Sequence, residues 1–122
     1  MNALLVLALT CTTIAGTYTR YEENSEATIR IHCVDAATVR VDGEALWGTN
    51  REAPHTGTIE FTAPLKDRTV HWRDPDDDSD HAYAVTLTFD EDGALVVTEE
   101  NATSYLGMNV TFAGDYSKDP PE

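Results

Sequence analysis

The residues best suited to hold a metal ion are concentrated in one short stretch, residues 74–80. Aspartates recur there at every second position: Asp74, Asp76, Asp78 and Asp80. Calcium takes roughly six to eight oxygen ligands, and alternating carboxylates can supply several of them. A helix–loop–helix calcium site would need a glycine where Ser79 stands and a glutamate where Val85 stands. The stretch therefore indicates either a weak calcium site or a solvated acidic loop.

Two cysteines and two glycosylation sequons are the other residues with chemistry of their own. Cys11 and Cys33 could form a disulfide that closes a loop of about 22 residues, worth roughly 3 kcal/mol through chain entropy. In a reducing cytoplasm they would instead remain two buried thiols. Asn101 and Asn109 each begin an Asn-X-Thr sequon, which is glycosylated only when it is exposed in a protein that leaves the cytoplasm. Whether the cysteines form a disulfide and whether the asparagines are glycosylated therefore depends on the compartment in which the chain folds.

No pattern of catalytic residues is present. The four serines lie outside any G-x-S-x-G turn, and the sequence has neither a P-loop nor a G-x-G-x-x-G motif. The four histidines form no HExxH pair. With 22 acidic residues among 122, carboxylates at glycosidase spacing would arise by chance. We therefore predict a protein that is not an enzyme and that uses no cofactor apart from a weakly bound calcium ion.

The excess of acidic over basic residues argues against negatively charged binding partners. Eight lysines and arginines oppose 22 aspartates and glutamates, which gives a net charge of −14. Such a surface repels phosphate backbones and anionic lipids, which argues against nucleic-acid binding and against basic-patch docking on membranes. Abundant aspartate with little lysine is typical of proteins hydrated in molar salt, where a Debye length of about 3 Å screens the repulsion. We infer a halophilic source, a haloarchaeon or one of its viruses.

The first 19 residues differ from the rest because they carry no charge. Residues 3–9 (ALLVLAL) form a continuous apolar run with these larger side chains: Leu4, Leu5, Val6, Leu7 and Leu9. If the segment is retained, these side chains form an assembly interface on their own sheet or on a neighbouring subunit. The alternatives are a secretory leader cleaved near Ala15, a lipid anchor on Cys11, or a membrane-spanning helix, for which the run is short.

Alternating side chains and β-branched residues predict an all-β fold. Threonine, valine and isoleucine supply 30 of the 122 residues, and these types favour strands. Apolar and polar residues alternate in short runs, for example from Tyr83 to Phe89 and from Leu106 to Phe112. Asp42-Gly43 is typical of a hairpin turn, and Pro64 is expected to end a strand.

These runs predict one antiparallel β-sandwich over residues 20–116, immunoglobulin-like or a small jelly roll, with about seven to nine short strands. The uncharged residues 1–19 precede it, and residues 117–122 form an exposed acidic tail.

Two classes of function fit these features. The first is a non-enzymatic structural subunit of a haloarchaeal virus particle (a capsid decoration, turret or tail component) or of a cell-surface assembly. Its partners are other protein subunits, in a homo-oligomer or a larger assembly. The second is a secreted or lipid-anchored binding module, glycosylated on its sequons, whose loops at residues 48–57 and 74–80 contact a ligand. We expect the protein on a virion or at the cell surface, and membrane contact only if the leading segment is an anchor.

Overall fold

A computed structural model of the chain describes residues 11–49 and 53–120. It contains eight strands and two short helices: α1 (Cys11–Ile14), β1 (Gly16–Glu22), β2 (Ser25–Asp35), β3 (Thr38–Trp47), β4 (His55–Lys66), β5 (Thr69–Arg73), β6 (Ala84–Phe89), β7 (Leu95–Glu100), α2 (Ala102–Leu106) and β8 (Gly114–Lys118). Each strand is antiparallel to the strands it pairs with. None of the helices in these ranges has the length and apolar character needed to cross a lipid bilayer.

The strands close into a barrel in simple chain order from β1 to β8. The closing contact joins β8 to β1, where Tyr18 pairs with Lys118 and Thr19 pairs with Ser117. The prediction of an all-β, antiparallel fold is confirmed, but the prediction of a sandwich is wrong. Alternation with a period of two shows which side chains of a strand are buried, and it is the same in a sandwich and in a barrel.

Side chains fill the interior of the barrel. An eight-stranded barrel encloses a space that is just wide enough for side chains to occupy. The largest side chains with almost no exposed surface are Tyr18, Tyr83, Phe89, Phe112, Ile29, Ile31, Leu87 and Leu95. They come from β1, β2, β6 and β7 and from the segments just before β6 and β8, and they belong to one core cluster.

Short segments cover both ends of the barrel. At the first, which we call the helix end, α1 packs beside the β2–β3 turn, and Cys11 and Ile14 are buried. At the second, the loop end, α2 and residues 107–113 lie over the interior, with Leu106, Val110 and Phe112 buried. The first strand, β1, begins at Gly16, and α1 packs on the barrel before it, so both elements begin before residue 20.

Two local predictions are also wrong. Asp42-Gly43 lies in the middle of β3 and not in a turn. Residues 106–112 do not form a strand: α2 ends at Leu106, and the positive φ angles of Gly107 (111°) and Asn109 (66°) break the extended conformation. The alternation of Leu106, Val110 and Phe112 reflects insertion into the end of the barrel.

The exposed tail is shorter than expected. β8 continues to Lys118, and the main-chain N–H of Asp119 donates to the oxygen of Thr17 at 2.8 Å. The Thr19 hydroxyl also donates to the Asp119 carboxylate at 2.9 Å. These contacts tie residues 117–119 to β1.

Candidate functional site

The predicted assembly residues Leu4, Leu5, Val6, Leu7 and Leu9 lie outside the described part of the chain. The described chain begins at Cys11, so the structure gives the position of the residue just beyond this segment. The position of Cys11 fixes where the chain that follows the apolar run joins the barrel.

Cys11 and Cys33 form a disulfide, with their Cα atoms 5.6 Å apart. Cys11 is 1% exposed and Ile14 is 2% exposed, whereas Cys33 is exposed at the end of β2. The Tyr18 hydroxyl donates to the Ile14 oxygen at 2.7 Å, and the Lys118 ammonium donates to the Thr13 oxygen at 3.0 Å. Burial raises the pKa of Tyr18 to about 12. Residues 11–15 are therefore part of the folded barrel.

The predicted calcium ligands do not converge. Asp74 accepts a hydrogen bond from the main-chain N–H of Asp76 at 3.0 Å, and Asp77 accepts one from that of Ser79 at 3.0 Å. The bonds from Ser79 lower the pKa of Asp77. In residues 11–49 and 53–120, no three acidic, histidine or cysteine side chains come together in a way that could hold a metal ion. These aspartates serve as turn formers and as surface charge.

The two sequons lie at the loop end, in different settings. The side-chain amide of Asn101 donates to the Ala82 oxygen at 2.9 Å and anchors the start of α2. Asn109 is exposed and has a left-handed backbone, with φ at 66°. The threonine of its sequon, Thr111, donates to the Glu99 carboxylate at 2.5 Å. Both asparagines are accessible at the surface.

An aromatic cluster at the loop end has no signature in the sequence. The rings of Tyr83 and Tyr105 stack with centroids 4.6 Å apart, and those of Phe61 and Trp72 stack at 4.9 Å. Trp72 meets Tyr105 edge to face at 6.1 Å, which joins the two stacks. Tyr105 is 41% exposed. The four residues come from separate elements, so only the tertiary structure brings them together.

Two charged side chains hold residues 111–113 in the barrel, and sequence reasoning did not identify either. Arg20 is 2% exposed and donates to the oxygens of Thr111 and Ala113. Glu99 accepts a hydrogen bond from the main-chain N–H of Phe112 at 3.1 Å and one from the Tyr83 hydroxyl at 2.5 Å. Burial and the charge of Glu99 raise the pKa of Tyr83. This network fixes the covering segment of the loop end.

A second ionic network lies on the outer surface of β2, β3 and β4. Arg30 binds Glu44 through two hydrogen bonds, of 3.0 and 2.6 Å, and Arg40 binds Glu60 at 2.9 Å. Asp42 lies between the two arginines, 3.4 Å from Arg30. Exposed pairs of this kind contribute little each, so their main effect here is to offset part of the negative charge.

The hydrogen-bonded ladder between β4 and β5 is short, although the rings of Phe61 on β4 and Trp72 on β5 stack across it. The two strands pair only where Leu65 faces Val70 and Lys66 faces Thr69. Continued by one step, this register sets Pro64 opposite His71. Proline has no N–H to donate, and prolines inside strands are confined to edges. The ladder with β5 therefore stops at Pro64. The expectation that Pro64 ends the strand is wrong, because β4 runs from His55 through Pro64 to Lys66.

The unpaired part of β4 is a strand edge, residues 56–62, which we call the β4 edge. The main-chain N–H of Leu65 donates toward β3, to the Ala37 oxygen at 2.8 Å. In an antiparallel strand alternate residues direct both main-chain groups to the same side, so those of Thr58, Glu60 and Thr62 face away from β3, toward β5. No strand in the described ranges pairs with them there. Their side chains are exposed. Chemically, the edge offers a row of main-chain donors and acceptors to another extended segment.

Comparison with known proteins adds no relationship: the chain matches no protein-family model, and no curated protein or solved structure is significantly similar to it.

Proposed function

We propose that this chain is a non-catalytic structural subunit of a halophilic surface assembly, in a virus particle or on a cell. The observation that carries the proposal is the disulfide between Cys11 and Cys33. It attaches the chain just after the apolar residues 3–9 to the barrel, and burial of Ile14 adds to the attachment. An apolar segment that directly precedes a folded domain in the sequence is suited to bind a neighbouring subunit.

The attachment of residues 11–15 weighs against the two forms of the export hypothesis that remove or modify them. Cleavage after Ala15 would remove Cys11 and Ile14 from the core. It would cost roughly 3 kcal/mol for the disulfide and about 2–5 kcal/mol for the lost isoleucine. A lipid on the sulfur of Cys11 is incompatible with the disulfide, because one sulfur cannot carry both bonds.

Compartment and charge support the same role. Disulfides persist on virion and cell surfaces, where the surroundings are oxidising. A net charge of −14 is tolerated in molar salt because the repulsion is screened over about 3 Å. A subunit exposed to brine meets both conditions.

Intact mass spectrometry and N-terminal sequencing of the protein from its native source test the proposal. We expect a chain that begins before residue 4 and carries the disulfide. A mature chain that begins at Gly16, or that begins at Cys11 with a lipid on its sulfur, would contradict it.

The second candidate is an exported binding module, and one observation favours it. The loop between β5 and β6, helix α2 and both sequons share the loop end, where Tyr105 and Met108 are 41% and 65% exposed. A Tyr105→Ala variant would lose binding to such a ligand while keeping the oligomeric state. In a structural subunit held by its leading segment, the same variant would change neither property.

A further inference from the structure

We propose that Asn109 carries an N-linked glycan and that Asn101, the asparagine of the other sequon, does not. Both sequons lie at the loop end, but the barrel holds the two side-chain amides in different ways. The inference rests on the surface location in the proposed function, because N-glycosylation, like a lasting disulfide, belongs to chains that leave the cytoplasm. It adds a modified residue that assembly itself does not require.

The side-chain amide of Asn109 is available for modification. Asn109 is the third residue of a turn that closes where the Val110 N–H donates to the Gly107 oxygen at 3.3 Å. Its φ angle of 66° is left-handed, a conformation that asparagine tolerates better than most residues. The residue is exposed, and its amide forms no hydrogen bond within residues 11–49 and 53–120. A glycan on its Nδ2 atom would therefore lie in solvent and displace no contact of the described chain.

The side-chain amide of Asn101 is held against the folded chain, although the residue as a whole is exposed. Its Nδ2 atom donates to the oxygen of Ala82 at 2.9 Å, and Ala82 is 1% exposed. A glycan is bulky, and a sugar bonded to Nδ2 would lie against this buried stretch because the nitrogen is the atom that makes the contact. A glycan on Asn101 would therefore oppose the packing of α2 at the loop end.

Transfer of the glycan precedes the docking of residues 107–113 on the barrel. In the folded chain Val110 is 2% exposed and the Thr111 hydroxyl donates to Glu99 at 2.5 Å, so the sequon is not free to enter another active site. The donor is a lipid-linked sugar activated by phosphate. Its bond between the anomeric carbon and the phosphate oxygen breaks, and the same carbon bonds to Nδ2 of Asn109. The amide loses one proton, which the departing phosphate takes up, and no atom is oxidised or reduced.

The glycan would be attached beside exposed apolar side chains. Met108, the residue before Asn109, is 65% exposed, and Tyr105 at the same end is 41% exposed. A bulky, hydrated group at Asn109 shields this surface and leaves little room there for a neighbouring subunit. The apolar residues 3–9 precede α1, which lies at the opposite, helix end. A glycan at the loop end is therefore compatible with assembly through the leading segment.

Cleavage at methionine separates the two asparagines in the native protein. The chain has two methionines, Met1 and Met108. Cyanogen bromide therefore yields one fragment that ends at Met108 and contains Asn101, and a second fragment, residues 109–122, that begins with Asn109. In protein from the native source, mass spectrometry should show residues 109–122 heavier than the bare peptide by at least one sugar. The fragment that ends at Met108 should have the mass of the bare peptide.

Matched variants expressed in a haloarchaeal host test the assignment independently. Asn109→Asp removes the acceptor nitrogen and keeps a residue type that tolerates a φ angle of 66°, so its intact mass should fall to that of the bare chain. Asn101→Asp should retain the added mass. Thr111→Ser keeps the sequon and the hydroxyl and should also retain it, whereas Thr111→Val should lose it. If a variant does not fold, the fragment masses of the native protein decide alone.

The results distinguish this inference from the proposed function. A bare fragment 109–122, or a sugar on Asn101, overturns the assignment and leaves the assembly role standing. A glycan on Asn109 in a mature chain that begins at Gly16 supports the assignment and contradicts the assembly role. The result expected from both proposals is a glycan on residues 109–122 alone, in a chain that retains its leading segment.

Discussion

The ring of Phe112 lies against Gly43, on the opposite wall of the barrel. A Cβ atom on Gly43 would be 3.2 Å from Cε1 of Phe112 and 2.4 Å from the main-chain oxygen of Thr28. Phe112 precedes β8, and its N–H is bound by Glu99 on β7, so this side chain spans the interior. Gly43 is needed because two other parts of the chain approach β3 closely at this point.

Replacing Phe112 should destabilise the barrel strongly. Phe112 has no exposed surface, so Phe112→Ala leaves a cavity that the surrounding strands cannot close. We expect the free energy of unfolding to fall by about 3–5 kcal/mol, measured by denaturant titration. Met108→Ala in the same segment is the control, because Met108 is exposed and should change stability by less than about 0.5 kcal/mol. Equal effects of the two substitutions would show that the segment does not pack inside.

Removing the disulfide should release the helix end. The double variant Cys11→Ser/Cys33→Ser loses the constraint on a loop of 22 residues, which is worth roughly 3 kcal/mol. A reductant should lower the melting temperature of the wild type and leave that of the double variant unchanged. A wild-type melting temperature that does not respond to reductant would mean that the bond contributes nothing to stability.

Stability should fall in alkaline solution because buried tyrosines resist ionisation. The pKa of Tyr18 is raised to about 12 from 10.0, and the pKa values of Tyr83 and Tyr116 are raised as well, chiefly by burial. Above pH 10 the unfolded chain loses these protons while the folded chain keeps them. The contribution of each such tyrosine to the free energy of unfolding is thus fully present below pH 10. Between pH 10 and 12 the free energy of unfolding falls by about 1.4 kcal/mol per pH unit for each of these tyrosines.

Two phenylalanine variants test this dependence. Urea titrations at pH 8, 10 and 11.5 should show a shallower alkaline decline for Tyr18→Phe than for the wild type. Tyr21 is 74% exposed, so Tyr21→Phe is the control and should keep the wild-type slope. An unchanged slope in Tyr18→Phe would contradict the assignment.

Salt should stabilise the fold, and the acidic loop should account for part of the effect. Asp76, Asp78 and Asp80 are exposed, and their mutual repulsion opposes the compact state at low ionic strength. The triple Asp→Asn variant should melt higher than the wild type in about 0.1 M salt and at nearly the same temperature in about 2 M salt, where charges are screened. A triple variant that melts lower at low salt would show that these carboxylates are stabilising.

Calcium should not stabilise the protein specifically. The four predicted ligands do not converge, and Asp74 is already bonded to the main-chain N–H of Asp76. Calcium and magnesium at the same ionic strength should therefore raise the melting temperature equally. A saturable rise with calcium alone, lost in Asp78→Asn, would restore the calcium site.

Local patterns predicted the parts of the fold that depend on neighbours in the sequence. The alternation from Tyr83 to Phe89 correctly indicates a strand, because period-two burial is a property of a single extended segment. The same logic failed from Leu106 to Phe112, where the spacing matches a strand but Gly107 and Asn109 turn the backbone. Burial was predicted correctly for Leu106, Val110 and Phe112 but not for Met108, which is 65% exposed, and the element was predicted wrongly.

Contacts across the barrel could not be predicted in the same way. The sequence left both a disulfide and two thiols open for Cys11 and Cys33, because spacing along the chain does not report distance in space. In the sequence, the buried Arg20 and the half-buried Glu99 look like the many other charged residues, and only the position of the covering segment shows their role. Pro64 was noted as a strand terminator, but its effect on the β4–β5 ladder depends on which residue faces it.

Composition and alternation alone established an acidic, strand-rich chain with one uncharged apolar segment and without catalytic motifs, because these are sums or repeats over adjacent residues. Only the tertiary structure decided that the sheet closes on itself, that Phe112 fills the interior opposite Gly43, and that the ladder between the described strands β4 and β5 ends at Pro64. The physical reason is that each of these depends on which distant segments become neighbours, and hydrogen bonds and packing select those neighbours only when the whole barrel has formed.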